Sequence, residues 1–379
     1  MKLKRKILGT ALALSIPFSQ GLACTTIALN GPDKHVVSGR TMEWGFDWDW
    51  KVLYIPKGSE HSLSAPKSLD LPNQPYTSKY SILGTGLAKD GQTLVIDGQN
   101  SEGLSLSANY LPGFTTYQDV TKDDKNYASI VESTMFVLSQ SATVAEAKEL
   151  LTKYKIWADK STMVDGVMPE VHFMITDKSG KGIVVEYVKG NAEFHDVNTS
   201  VKVMTNAPTY SWHTTNLRNY LNLSNHTIQR IKVADDPDQT NNNSIQNING
   251  LGEGNGFLGL PGDYSPPSRF VRTAVLGYYA NEKGPKGEST VSRIKHILNN
   301  VDIAKGTVVE KFDGKTMFDH TAYTVIKDQT DNKLYVTSYD HPNTPAEIDL
   351  NKLDSENKKE FDMNISDLPF PNNDITSKL

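Results

Sequence analysis

Along most of the chain, short runs of alternating apolar and polar residues are closed by turn residues. Cys24-Thr25-Thr26-Ile27-Ala28-Leu29 meets the turn Asn30-Gly31-Pro32-Asp33, and the pattern resumes from His35 to Met42. This predicts a β-hairpin whose first strand starts at Cys24. Three more hairpins follow from the same pattern: Thr93–Asp97 with Gly103–Ala108, His172–Ile175 with Ile183–Tyr187 across Asp177-Lys178-Ser179-Gly180, and Ala322–Ile326 with Lys333–Thr337. The β content is expected to be mostly antiparallel. Helices are predicted between the strands. Thr143-Val144-Ala145-Glu146 is a capping-box start, followed by Ala145, Ala147, Leu150, Leu151 and Tyr154 at helical spacing. Two further helices are predicted, from Arg269 through Tyr279 and from Thr290 to Asn299. Antiparallel hairpins with intervening helices imply a layered α+β arrangement.

Other stretches have no such period. Asp235 to Gly250 is polar and Asn-rich, and reads as a surface loop or insertion within one domain spanning residues 24–379. Tyr54 to Tyr80 has no readable register. Gly254-Asn255-Gly256-Phe257-Leu258-Gly259 matches GxGxxG, but no strand precedes it and Pro261-Gly262-Asp263 follows where a helix would open, so it reads as a loop.

The first 23 residues differ in kind. Lys2, Lys4, Arg5 and Lys6 precede the apolar run Ile7 to Phe18 and the exit Gly21-Leu22-Ala23, the pattern of a secretory signal peptide at residues 1–23. The apolar run is shorter than the ~20 residues of a membrane span, so the expected product is exported, with no membrane span. Composition fits a packed globular protein: 37% hydrophobic and 22% charged residues. A formal charge of −5 lacks the basic footprint of a nucleic-acid binder, so no nucleic-acid partner is expected.

Cys24 is the one cysteine in the chain. It has no internal disulfide partner, and cleavage after Ala23 would make it the N-terminus. A free α-amine has a pKa near 7.7–8.0 and a thiol one near 8.5, so one residue would hold both a base and a nucleophile near neutral pH. Two other readings stand beside this one: acylation of Cys24 in a lipid-anchored binding protein, although Gly21 stands where lipoprotein signals usually carry Leu, and an inert buried thiol.

The richest local cluster is Gly39-Arg40-Thr41-Met42-Glu43-Trp44-Gly45. Arg40 beside the first strand would favour the thiolate, and the carboxylate of Glu43 could hold the amine; an ordinary surface ion pair is the alternative. Trp44, Phe46, Trp48 and Trp50 form either core or the wall of an apolar acyl site, with Trp44 and Trp48 as candidate substrate contacts. No HExxH pair, structural-zinc spacing or GxSxG elbow occurs in the sequence.

These residues resemble the choloylglycine hydrolase family, which includes penicillin V acylases and conjugated bile-salt hydrolases with an N-terminal nucleophile. The anchors are Cys24, Gly39–Trp44, Gly103–Gly113, Met204-Thr205-Asn206-Ala207-Pro208, and Gly259–Asp263 leading to Ser268-Arg269-Phe270-Val271-Arg272. The resemblance implies a four-layer αββα sandwich of N-terminal nucleophile hydrolase type, acting on a small-molecule N-acyl amide. It implies no metal or organic cofactor, and a homotetramer. Cys24 would be nucleophile and base, and Arg40 the arginine beside the thiol. Glu43 falls where most members have Asp. Asn206 and the amide of Tyr110 would stabilise the oxyanion. Arg269 would be the second active-site arginine, with Arg272 as supporting structure. Tyr at position 110 resembles penicillin V acylases more than bile-salt hydrolases, which have Asn there, and leans toward aryl or fatty acyl amides. Export resembles a branch of Gram-negative enzymes, some of which act on N-acyl homoserine lactones.

Overall fold

A computed structural model describes residues 23–89, 92–232, 247–250, 252–312, 314–371 and 376. The expected signal segment, Ala23 excepted, lies outside the described residues, as does most of the Asn-rich segment. Two antiparallel sheets stack face to face, each covered by helices on its outer face, which gives the αββα order. One sheet is ordered Val203–Met204, Cys24–Asn30, Val36–Trp44, Lys315–Asp328, Lys333–Ser338, Ala346–Asp349, with Val308–Phe312 on the long strand's other end. The second runs Asn191–Asp196, Gly182–Val188, Val171–Thr176, Ser105–Tyr110, Gln92–Asn100, Ile82–Lys89, Lys51–Ile55, Phe361–Asn364.

All four predicted hairpins form. In the first, Cys24 pairs with Met42, Thr26 with Arg40 and Ala28 with Ser38. Both strands are buried almost throughout, as befits the middle of a sheet covered on two faces. Thr143 caps the Val144–Lys153 helix, its side chain accepting from the Glu146 N–H. The two later helices run Pro266–Tyr278 and Thr290–Leu298. The first of these starts three residues ahead of its expected place because the two prolines fit the first helical turn, where no N–H is needed.

Three apolar layers hold the sandwich. One lies between the second sheet and the helices Ile130–Gln140 and Val144–Lys153, and contains Leu106, Phe136, Val137 and Phe173. The middle one contains Met42, Trp44, Trp50, Val52, Tyr110 and Tyr323. The third packs Ile27, Val37, Phe270, Ile294 and Leu298 beneath the other helix pair. Gly39 belongs to this third contact: a Cβ there would lie 2.5 Å from Ile294 Cγ2 and 2.8 Å from Leu298 Cδ1, so its absence lets the helix settle against the sheet.

Several expectations change. Ile130–Gln140 is a helix that the apolar pattern did not indicate. Within Tyr54 to Tyr80, Glu60–Leu63 and Gln74–Thr77 form a small hairpin. The Asn-rich segment is not all loop, since Asn247–Asn249 pairs with Arg230–Lys232. The GxGxxG stretch is a short 3-10 turn over Asn255–Phe257 in a loop, as expected. No helix among the described residues is long and apolar enough to cross a membrane.

Candidate active site

Cys24 begins the first strand and is buried, 2% exposed. Its side chain points between the sheets, as do those of Met42 and Arg40, because facing and alternate positions on paired strands share one side. Arg40 is 1% exposed. Its Nη2 donates to Cys24 Sγ at 3.2 Å and to the Ala108 carbonyl at 2.9 Å, while Nε donates to Asn109 Oδ1 at 3.0 Å. Burial pushes the Cys24 thiol up, and the Arg40 guanidinium opposes that. A surface ion pair of Arg40 with Glu43 is thereby replaced by two buried groups in separate roles.

Arg40 is itself supported from below. Asp97 Oδ2 lies 4.0 Å from its Nε, and the buried Lys327 Nζ donates to Asp97 Oδ1 and, at 2.8 Å, to Ser107 Oγ. Neither Asp97 nor Lys327 stands out in the sequence, because Asp97 meets Arg40 only through the stacking of the second sheet and Lys327 only through the pairing of the distant Lys315–Asp328 strand with Val36–Trp44.

On the opposite face of the first strand, Arg269 of the Pro266–Tyr278 helix is fully buried. Its Nη1 donates to the Cys24 carbonyl at 2.7 Å and to Thr25 Oγ1 at 2.6 Å, and its Nη2 to Asn206 Oδ1 at 2.7 Å. Asn206 joins several parts of the site: Oδ1 also accepts the Cys24 N–H at 2.7 Å, and Nδ2 donates to the Tyr110 carbonyl at 2.9 Å. The expected oxyanion donor is therefore turned to the Tyr110 backbone while Ala23 is still attached. Arg272, one turn on, donates to the carbonyls of Asn300, Pro261 and Asp263, a fastening of the neighbouring loop.

Glu43 does not hold the Cys24 nitrogen in this form, which is bonded to Asn206. Its Oε1 accepts from Thr321 Oγ1 at 2.8 Å, its backbone N–H donates to the Ala23 carbonyl at 3.1 Å, and Oε2 is buried with no hydrogen-bond partner. Burial pushes the Glu43 carboxyl up to about 7, against the pull of Arg269.

The loop that presents Asn206 has a polar support that sequence reasoning missed. His172 sits between two acceptors, its Nδ1 2.9 Å from Glu186 Oε1 and its Nε2 3.0 Å from the Thr205 carbonyl. Glu186 also accepts the Tyr210 N–H at 2.9 Å. Despite its burial, Glu186 is held down to about 2 by the His172 and His195 side chains and the Tyr210 N–H.

A cleft opens from Cys24 and Arg40 between the sheets and encloses about 650 Å³ outside protein atoms, its solvent-open mouth included. Its walls are Met42, Trp44, Trp48, Trp50, Ile96, Tyr110, Val131, Val164, Val167 and Val171. Trp44 and Trp48 rings lie 4.5 Å apart, so the aromatic cluster is core on one side and cleft wall on the other. Tyr110 OH, 3.5 Å from Glu170 Oε2, is a polar point on that wall. The helix missing from the sequence reading contributes Ile130, Val131 and Thr134. The arrangement joins a buried thiol, a buried cation beside it, an amide side chain and an apolar cleft, a set of groups that can serve acyl transfer.

Comparisons with known proteins fit this geometry. The family model for linear amide C-N hydrolases, choloylglycine hydrolase family, matches residues 24–362. A bile salt hydrolase/transferase from Clostridium perfringens is 31% identical over 346 residues, covering 90% of this chain and 97% of that protein. The crystal structure of a variant conjugated bile acid hydrolase from Clostridium perfringens superposes with a TM-score of 0.77 at 27% identity, covering 93% of this chain and all of that one. Penicillin V acylase from Agrobacterium tumefaciens shares the fold, with a TM-score of 0.66 at 22% identity over 90% of this chain and 91% of that one.

Proposed function

Because the chain belongs to the choloylglycine hydrolase family of linear amide C-N hydrolases, we propose that it cleaves N-acyl amides through Cys24, made the first residue by removal of residues 1–23. The observation that carries this reading is Arg40 Nη2 at 3.2 Å from Cys24 Sγ, both lining an apolar cleft. The α-amine takes the thiol proton, and the thiolate beside Arg40 attacks the amide carbon. Negative charge collects on the carbonyl oxygen, which Asn206 Nδ2, turned from the Tyr110 carbonyl, and the Tyr110 N–H stabilise. Losing one such donor typically costs ~2.7–4 kcal/mol of barrier. The ammonium then protonates the leaving nitrogen as the C–N bond breaks. Water, giving a proton to the amine, attacks the thioester and releases the acid. Arg269 holds Asn206 and the Cys24 carbonyl in place for these steps.

The cleft favours an aryl or fatty acyl group: its walls are aromatic and branched aliphatic side chains, with Tyr110 at the position the resemblance links to penicillin V acylases. Relatives named bile salt hydrolase/transferase and conjugated bile acid hydrolase support a bile-salt amide as the second reading. Export to the periplasm or medium and assembly as a homotetramer belong to the same proposal.

Intact-mass spectrometry of the exported protein, before and after penicillin V, tests it. The expected result is a mature chain starting at unmodified Cys24, release of phenoxyacetic acid, and loss of that release in Cys24→Ser. Faster cleavage of glycine-conjugated cholate than of penicillin V would select the bile-salt reading. A diacylglyceryl mass on Cys24 would overturn both in favour of a lipid-anchored binding protein. Light scattering reads the tetramer.

A further inference from the structure

The face of the first strand that holds Arg269 also holds an acid outside the residues assigned so far. Asp319 lies on the long strand two residues before Thr321, and Thr321 pairs with Glu43 across the ladder. Residues two apart on a strand share a face, so Asp319 stands diagonal to Glu43 and on its side of the sheet. A bulge between Thr321 and Tyr323 shifts the register beside this point. Asp319 is 2% exposed and Glu43 0%. One oxygen of each, Asp319 Oδ1 and Glu43 Oε2, is buried without a hydrogen-bond partner.

Two buried carboxyls with open oxygens call for a cation or a proton. Arg269 is the nearby guanidinium, and it gives its N–H groups to the Cys24 carbonyl, Thr25, Tyr264 and Asn206. Two carboxylates against one guanidinium leave the cluster one positive charge short. Ala23 is 8% exposed, and its carbonyl accepts the Glu43 N–H, so this residue occupies the ladder position facing Glu43. Removing it would open the space beside the carboxyls and leave the Cys24 α-ammonium at its edge.

We infer that Asp319 is a positioning residue of the N-terminal site: with Glu43 it forms a two-carboxyl receptor for the α-ammonium that cleavage before Cys24 creates. This rests on the reading of Cys24 as the mature N-terminus. Before cleavage the missing charge is a proton shared by the acids. Burial and the neighbouring Glu43 and Glu310 push Asp319 up to about 8, against Arg269. After cleavage the acids give up that proton, and the free α-amine, by accepting the thiol proton, becomes the ammonium that replaces it, on a nitrogen surrounded by negative charge. The charged groups facing it are Glu43 and Arg40 from the Val36–Trp44 strand, Asp319 from the long strand, Arg269 from the helix, and the Cys24 thiol itself. Arg272 bears on Arg269 from the next helical turn.

One cysteine in the chain makes the test direct. Mature protein labelled with ¹⁵N-cysteine has a single labelled nitrogen, and its shift against pH reads the amine pKa without reference to activity. In the wild type the midpoint is expected above the ordinary ~7.7–8.0. Asp319→Asn should lower it by about one pH unit or more, and Asp319→Glu, which retains the charge, should restore it. A purely structural Asp319 would leave the midpoint unmoved. An unchanged midpoint in Asp319→Asn, with a lowered one in Glu43→Gln, overturns the inference and leaves Glu43 as the sole partner. If the Asn variant does not fold, a wild-type midpoint at or below the ordinary value overturns it equally. Intact mass separates the two readings. A chain not starting at Cys24 defeats both. One that starts there and hydrolyses amides with an unresponsive midpoint defeats only this inference, and a responsive midpoint without hydrolysis defeats only the amidase.

Discussion

Arg40 is buried with two other charges, and their sum decides what it does. Arg40 and Lys327 are cations and Asp97 is the anion between them, all at 1% exposure or less, so the group presents one net positive charge toward Cys24 Sγ. Replacing Arg40 with Met removes that charge while leaving the Asp97–Lys327 pair intact. An opposite charge at this range lowers a pKa by about 1–3, so mature Arg40→Met is expected to carry roughly ten- to a thousand-fold less thiolate at pH 7. Its iodoacetamide alkylation rate should fall accordingly, and an unchanged rate would mean that Arg40 is only a spacer. Asp97→Asn acts differently, because it strands two buried cations. Breaking such a cluster costs about 3–5 kcal/mol, which a urea midpoint would read as a loss of stability.

The hairpin of Cys24–Asn30 with Val36–Trp44 is the element on which the site depends, since it carries Cys24, Arg40 and Glu43 in one ladder. Helix contact sets its position. At Gly39, next to Arg40, a Val side chain would meet Ile294 and Leu298, whose atoms lie under 3 Å from the Cβ position. Overpacking of this kind costs about 1–3 kcal/mol, so Gly39→Val should lower the urea midpoint with an unchanged m-value; equal midpoints would show that the helix gives way freely. Such hairpins were legible from sequence because one polar turn and a period of two specify them locally. The helix Ile130–Gln140 was not legible by period: its apolar residues Ile130, Val131, Met135, Phe136, Val137 and Leu138 fall in consecutive runs, so they spread around it rather than forming a stripe. Its start was readable, since Glu132 reaches back to the Ser129 N–H across the spacing of a capping box. Asp97, Asp319 and Lys327 escaped for another reason. Each is an ordinary charged residue in its own strand, and it becomes part of the site only through register between distant strands. Cys24, Arg40, Asn206 and Arg269 were legible through short motifs, and the structure brings all four together by hydrogen bonds.

At the scale of the whole molecule, the two faces of the first strand divide the charges. Arg40, Lys327 and Asp97 lie between the sheets, whereas Glu43, Asp319 and Arg269 lie toward the helix layer. The helix-side group makes folding sensitive to pH. With Ala23 retained, Glu43 at about 7 and Asp319 at about 8 stand above their ordinary carboxyl values. The native chain then keeps protons that the unfolded chain has lost, so its stability is full below about pH 4 on this account and falls as pH rises toward 8. With 1.36 kcal/mol per pKa unit, the two raised carboxyls together set a loss on the order of 8 kcal/mol by pH 8. In the chain starting at Cys24 the ammonium takes the proton's place, both acids ionise nearer their ordinary range, and most of that loss between pH 5 and 7 should vanish. Stability from the ammonium pairing is present below the ordinary amine pKa and is lost as pH climbs through its raised value. Urea unfolding of the two forms at pH 5, 6 and 7 makes the comparison. The form with Ala23 should lose stability faster with pH than the form beginning at Cys24, so that cleavage protects the fold at neutral pH while creating the base. Parallel curves would show that the carboxyls do not sense the new terminus.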